Sequence, residues 1–223
     1  MKKMLTIAAT LWLLGGCGQL EPRPLEIAKI HPPEIVSPVL SAGQQWTYRR
    51  VDLWRKREIE RFRQEFLMPD EAFWIVRWNI LNSDNQARMG SITGEIFDPR
   101  YHSFADARLN GHYEPLRFPL KEGKTWTFTY SMPGSNQLKV TQTATVRGWE
   151  EVNVPAGRFS ALRISHEGNY SATDGLFSWS GRISETYWYS PDARRVVKRE
   201  YRDTSGEGLL WDQWRDELVE MKL

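Results

Sequence analysis

Apolar and polar side chains alternate strictly over several short runs of this chain. Trp126, Phe128 and Tyr130 alternate with Thr125, Thr127 and Thr129. Leu138, Val140, Gln142, Ala144 and Val146 alternate with Lys139, Thr141, Thr143 and Thr145. A period of two sends successive side chains to opposite faces, so each run predicts a half-buried strand. Turn residues separate the runs, at Pro133-Gly134, Pro155-Ala156-Gly157, Asp174-Gly175 and Ser190-Pro191. Between them 159–165, 183–189 and 196–201 read as further strands. Val219, Met221 and Leu223 alternate against Leu218, Glu220 and Lys222, which predicts that the C-terminus itself closes a sheet.

The first half is less regular. Residues 74–81, WIVRWNIL, read as a strand. In 52–67, Ile59, Phe62 and Phe66 have helical spacing, whereas the neighbouring strands favour a long, solvated hairpin; strand is the reading adopted. Gly43-x-x-Trp46-Thr47 and Gly123-x-x-Trp126-Thr127 repeat one pattern eighty residues apart. Either the chain holds two similar halves, 40–118 and 119–223, or both are ordinary strand starts. The expected fold is mainly β, an antiparallel curved sheet or partly open β-barrel, spanning 40–223.

The N-terminus follows another pattern. Lys2 and Lys3 precede an apolar run from Met4 to Leu14, then Gly15, Gly16 and the only cysteine, Cys17. That is the layout of a secretory leader. The run is too short to span a bilayer, which takes about 20 residues. Leu14-Gly15-Gly16-Cys17 resembles the lipobox of bacterial lipoproteins. The resemblance implies that 1–17 is a lipoprotein signal segment, cleaved before Cys17, with Cys17 left as the first mature residue and acylated on its thiol and amino group. An unpaired thiol in an oxidising compartment is a liability that acylation removes. Several acyl chains give stable anchoring where one does not. Gly18 stands where Asp would imply retention in the inner membrane, so the resemblance points to the outer membrane, with the protein facing the periplasm.

From 18 to 39 the chain holds Pro22, Pro24, Pro32, Pro33 and Pro38. Such a segment reads as an extended tether rather than a helix or central strand. The chain carries 30 Lys and Arg against 28 Asp and Glu. Lys2 and Lys3 lie in the leader, so the remainder is balanced and has no basic tract of the kind nucleic acid requires.

FPLKEGKTWTFTY, VNVPAGRFSALRI and YWYSPDARRVVKREY occur in that order from Phe118 onward. They resemble a group of exported Gram-negative proteins and lipoproteins known as domains of unknown function. The resemblance covers the C-terminal half and implies an antiparallel β-rich fold; it assigns no catalytic residue.

Candidate chemistry is sparse. His31, His102, His112 and His166 show no metal-ligand spacing, and neither a nucleophile elbow nor a phosphate loop is present. A His102/His112 pair with Asp98 or Asp106 would be the one imaginable metal site. Asp98, Asp106 and Glu114 are the carboxylates that could serve a glycosidase. Trp126 and Trp188 read as core, whereas Trp149, Trp179, Trp211 and Trp214 sit beside turns or charges and could form an exposed aromatic binding surface. The expectation is a non-enzymatic lipoprotein with a binding or scaffold role, no cofactor, and no metal. Its partners would be the membrane, through acyl chains on Cys17, and a protein or the cell wall. The alternatives are a carrier of a lipid or other apolar ligand, and a carbohydrate-acting hydrolase.

Overall fold

The computed structural model describes residues 31–69, 73–88, 93–104, 109–133 and 137–223. The leader, Cys17 and the tether up to residue 30 lie outside them. Twelve strands follow in chain order. The first half supplies β1 (Gln45–Asp52), β2 (Arg57–Pro69), β3 (Trp74–Ile80), β4 (Thr93–Asp98), β5 (Ser103–Phe104) and β6 (Asn110–Gly111). The second supplies β7 (Thr125–Met132), β8 (Leu138–Val154), β9 (Gly157–Thr173), β10 (Ser178–Ser190), β11 (Arg195–Ser205) and β12 (Leu210–Lys222). They form one sheet in the order β5-β4-β3-β2-β1-β12-β11-β10-β9-β8-β7-β6. Every ladder is antiparallel, and the sheet is curved without closing into a barrel. The expected fold class is therefore observed.

The alternating runs become strands for the anticipated reason. Trp126 and Phe128 of β7 are buried, while Thr127 and Thr129 face outward and bond Thr143 and Thr141 of β8 at 3.0 Å. Such cross-strand pairs add a few tenths of a kcal/mol each, up to about 1. Residues 52–67 are the turn and second strand of a hairpin, β1 pairing with β2 from Gln45↔Glu65 to Asp52↔Arg57. Helical spacing loses here because β2 is laddered on both edges, to β1 and to β3. The C-terminal strand does more than close an edge: β12 pairs with β1 and with β11, and so joins the two halves.

The echo at Gly43 and Gly123 is a shared local device. Both glycines have left-handed φ, +86° and +80°, which a side chain disfavours, and both sit in the turn before a strand. Each following indole donates to a backbone carbonyl, Trp46 Nε1 to Ala193 at 2.8 Å and Trp126 Nε1 to Glu114 at 3.0 Å. The halves nevertheless share a core. One apolar cluster joins Trp46, Phe66 and Phe97 to Phe159, Trp188 and Val197.

Curvature follows from distances. β4 and β11 are five strand spacings apart, roughly 24 Å across a flat sheet. Yet the Arg195 guanidinium of β11 lies 4.5 Å from the Phe97 ring of β4. The sheet must curl until its two flanks meet. A strap of irregular chain, 112–120, lies inside the curl, with Leu116 N donating to Tyr101 O at 3.1 Å and Leu116 and Leu120 fully buried.

Ordered packing starts earlier than the boundary read at residue 40. Ile35, within the proline-rich stretch, is 7% exposed and pairs with Leu120 through two backbone hydrogen bonds of 2.8 and 2.7 Å. The reason is local: Pro32, Pro33 and Pro38 keep this stretch extended, and an extended chain can present Ile35 to a strap that lacks a strand partner. Ile35→Ala should lower stability by about 2 kcal/mol, read as a drop in urea midpoint. Val36→Ala, at a residue 67% exposed, should stay within about 0.5 kcal/mol. Equal effects would mean that the segment does not dock as described.

Candidate functional site

The inward face of β10 carries Ile183, Glu185, Tyr187 and Tyr189, all buried. A carboxylate in that register must be paired or it costs several kcal/mol. Glu185 is paired on all sides. Arg199 of β11 donates to Glu185 Oε2 through Nη2 at 2.5 Å and Nε at 3.0 Å. Tyr187 Oη donates to the same oxygen at 2.6 Å, and Gln142 Nε2 of β8 donates to Oε1 at 3.0 Å. The hydroxyl of Tyr113, on the strap, lies 3.1 Å from Oε2 and touches the Tyr187 hydroxyl. Burial alone would raise the Glu185 carboxyl; Arg199 overrides it, with help from His166, Tyr187 and Gln142, and holds the group at about 2. Burial pushes the Tyr113 and Tyr187 phenols up, so both stay protonated as donors.

Beside this network, a half-open hollow of about 140 Å³ lies between the flanks of the curl. Phe62, Trp78, Phe104 and Tyr48 supply aromatic wall, and Arg50, Arg195 and Arg199 supply charge. Arg50 is neutralised by Asp216, with Nε and Nη2 contacts of 2.8 and 3.0 Å, and Arg199 by Glu185. Arg195 has no carboxylate partner among the described residues. A second hollow of about 250 Å³ shares Ser103, Phe104 and Tyr113 as wall and continues to His112 and Arg100.

The four histidines fall in separate places. His166 is buried beside the network, 4.8 Å from the Tyr187 ring, and faces the Pro115 backbone without a hydrogen bond of good geometry. Burial lowers it to about 4, against the opposing pull of Glu185. His102 is buried against Tyr189 and Phe118, and burial, reinforced by Arg195, lowers it well below the usual range. His112 is exposed. His31 stacks on Trp149 at 4.1 Å. Among the described residues no cluster of His, Cys, Asp and Glu could hold a metal ion. Asp98 is bound by its own neighbour Arg100, at 2.7 Å, and Glu114 by Arg117, at 3.4 Å. Asp106 lies outside the described residues.

The four tryptophans singled out from sequence do not share one place. Trp149 packs on the core beside Val146 and Leu162, and Trp179 on Tyr170 and Ile183. Trp214 stacks on Tyr201 at 4.9 Å and lies under Arg50 and Arg199, at 4.1 and 4.8 Å, so it backs the hollow. Trp211 is the exposed one, at 49%, beside the β11–β12 turn. Sequence reasoning passed over Glu185, Arg195 and Arg199. The available signal was Glu185 itself, a charge in the inward register of an otherwise apolar strand.

No protein-family model matches the chain, and no curated protein matches it. Solved structures do. An exported protein from Bacteroides fragilis with a YmcC-like fold aligns over 85% of this chain and all of its own, with a TM-score of 0.50 at 14% identity. That shows a common fold. A protein from Parabacteroides distasonis described as a lipoprotein aligns over 82% of this chain and 96% of its own, with a TM-score of 0.49 and 13% identity. The hypothetical lipoprotein YmcC from Escherichia coli aligns over 79% and 83%, with a TM-score of 0.35 and 12% identity.

The network and the histidines give separate predictions. Glu185→Gln leaves the half-buried Arg199 without its counter-ion and weakens the bonds from Tyr187 and Gln142, which should cost about 2–3 kcal/mol. Replacing both by Leu should recover most of that loss in denaturant unfolding; no recovery would mean that the pair does not act as a unit. His166 and His102 are neutral when folded and bind a proton near the ordinary pKa when unfolded, so the unfolded state takes up protons first as pH falls. Stability should therefore decline from about pH 6.5 towards pH 4, by up to about 1.4 kcal/mol per pH unit per histidine. The Glu185 contribution is lost lower, between the ordinary carboxyl range and about 2. Urea midpoints at several pH values should show a shallower slope for His166→Gln than for the native chain. An unchanged slope would assign the pH dependence to other groups.

Proposed function

We propose that this protein is a lipid-anchored, periplasm-facing binding protein of the outer membrane, without catalytic activity, whose curved sheet offers the aromatic and arginine-lined hollow to a ligand. The observation that carries this reading is the hollow itself, where a buried carboxylate met by donors on all sides stands beside a guanidinium that has no acidic partner. A sheet stabilised for packing alone has no need of that arrangement. The tying of Asp98 and Glu114 to arginines supports a non-catalytic role. At about 140 Å³ the hollow suits a ring-sized molecule better than a whole lipid, because drug-sized ligands occupy about 300–1,000 Å³. The lipobox supports the anchor, and an exported Bacteroides fragilis protein of the same fold agrees with export.

Cys17→Ser should abolish acylation and move the protein from the membrane fraction to the soluble fraction. Unchanged fractionation would reject the anchor. Native mass spectrometry of the lipidated protein, gently extracted from membranes, should show a bound small molecule or a protein partner. Recovery of neither, with the fold intact, would count against a binding role.

A further inference from the structure

Arg195 is 6% exposed, yet its environment is incompletely polar. Gln64 Oε1 accepts from Nη2. The Tyr48 hydroxyl is the other polar neighbour, and its own proton goes to the Val196 carbonyl at 2.9 Å. Nε and Nη1 complete no hydrogen bond. The remaining surroundings are ring faces, with Trp46 and Phe66 at 5.5 Å and Phe97 at 4.5 Å from the guanidinium carbon. Cation–π contact with three rings fixes the plane of the group but does not neutralise it. A guanidinium keeps its charge even when buried, and an unpaired buried charge costs several kcal/mol.

His102 lines the same hollow and is in the same condition. It is buried, neutral, and has no hydrogen-bond partner at either ring nitrogen. Arg195, through Nε and Nη1, and His102, through its ring N–H, thus bring donors that no acceptor meets to one space. The charge count agrees. Arg50 and Arg199 are matched by Asp216 and Glu185, so Arg195 leaves a single positive charge in excess. The walls around it, Phe62, Trp78 and Phe104, are flat and apolar.

We infer that the hollow binds a small organic carboxylate carried on a flat ring. Its carboxylate replaces Gln64 as the acceptor for Arg195, with His102 as a second donor, and its ring lies among Phe62, Trp78 and Phe104. This rests on the binding role proposed above and names the ligand class. One negative charge answers the single excess cation. A ring-sized body fits about 140 Å³, the scale at which an apolar cavity accepts benzene. Most of the guanidinium's desolvation is already made in the free protein, so the ionic contact forms at low dielectric.

Benzoate is the probe, and benzamide is its neutral counterpart of the same shape. Titrations of the full chain, followed by indole fluorescence and by chemical shifts of the tryptophan side chains, should show benzoate binding at least tenfold tighter than benzamide. Arg195→Met keeps the volume and removes the charge. It should fold, because it removes a buried charge without a counter-ion at the cost of one hydrogen bond to Gln64, and it should bring benzoate down to the affinity of benzamide. Equal binding of both probes by the native chain would overturn the carboxylate assignment and leave a binding hollow standing. Binding of neither, with the fold intact, would overturn it together with the use of this hollow. Retained benzoate preference in Arg195→Met would place the anion elsewhere and also overturn it. If that variant does not fold, the comparison of the two probes on the native chain decides alone.

Discussion

The Glu185 carboxylate is the point on which the interior of the curl depends. Burying it is unfavourable by several kcal/mol unless donors surround it, and the donors come from four separate parts of the chain. Gln142 reaches it from β8, Tyr187 from β10, Arg199 from β11 and Tyr113 from the strap. Each of those segments is therefore positioned by a common acceptor as well as by its own ladder. The strap has only short pairings of its own, so the contact of Tyr113 with this network and the burial of Leu116 and Leu120 hold it inside the sheet. Without the strap, the two flanks would face each other across a gap that no described strand fills.

The hollow is a by-product of that closure. A sheet that curls until β4 meets β11 brings aromatic side chains of the first half against the charged inward positions of the second. Most of the opposing charges are paired along the sheet, as Arg50 is with Asp216 across β1 and β12. Arg195 sits at the start of β11, where the ladder with β10 shifts register between Trp188 and Tyr189. A bulge changes which face a side chain reaches. At that point the regular alternation stops assigning inward positions to apolar residues.

This explains which parts were legible in the sequence. Strands such as β7 and β8 were readable because one face is buried and the other wet, so the period of two is printed in Trp126, Thr127, Phe128 and Thr129. The short β4, β5 and β6 were not: β5 and β6 have two residues each, too few to display a period, and TGEIFD of β4 does not alternate. The site was less legible than the fold. Glu185, Arg195 and Arg199 are charges, and on a strand a charge is usually the solvated face. Only the inward register of Glu185 beside Ile183, Tyr187 and Tyr189 distinguishes it. The partners Gln142 and Tyr113 lie dozens of residues away and are joined to it solely by topology. The docking of Ile35 was masked by proline content, which reports an extended chain and is silent on whether that chain lies against something.

That docking also has a mechanical side. A pull from the N-terminal direction reaches the two hydrogen bonds between Ile35 and Leu120 before it loads any ladder of the sheet. That one bridge, with the His31 stack on Trp149, the bond of Ser37 to the Pro99 carbonyl and that of Arg194 to the Val39 carbonyl, is a far smaller hold than that of β1, which is paired on both edges along its whole length. Residues 31–39 would peel away first and add roughly 30 Å of extended chain. The short contact would then act as a fuse ahead of the sheet, absorbing displacement while the Glu185 network remains intact.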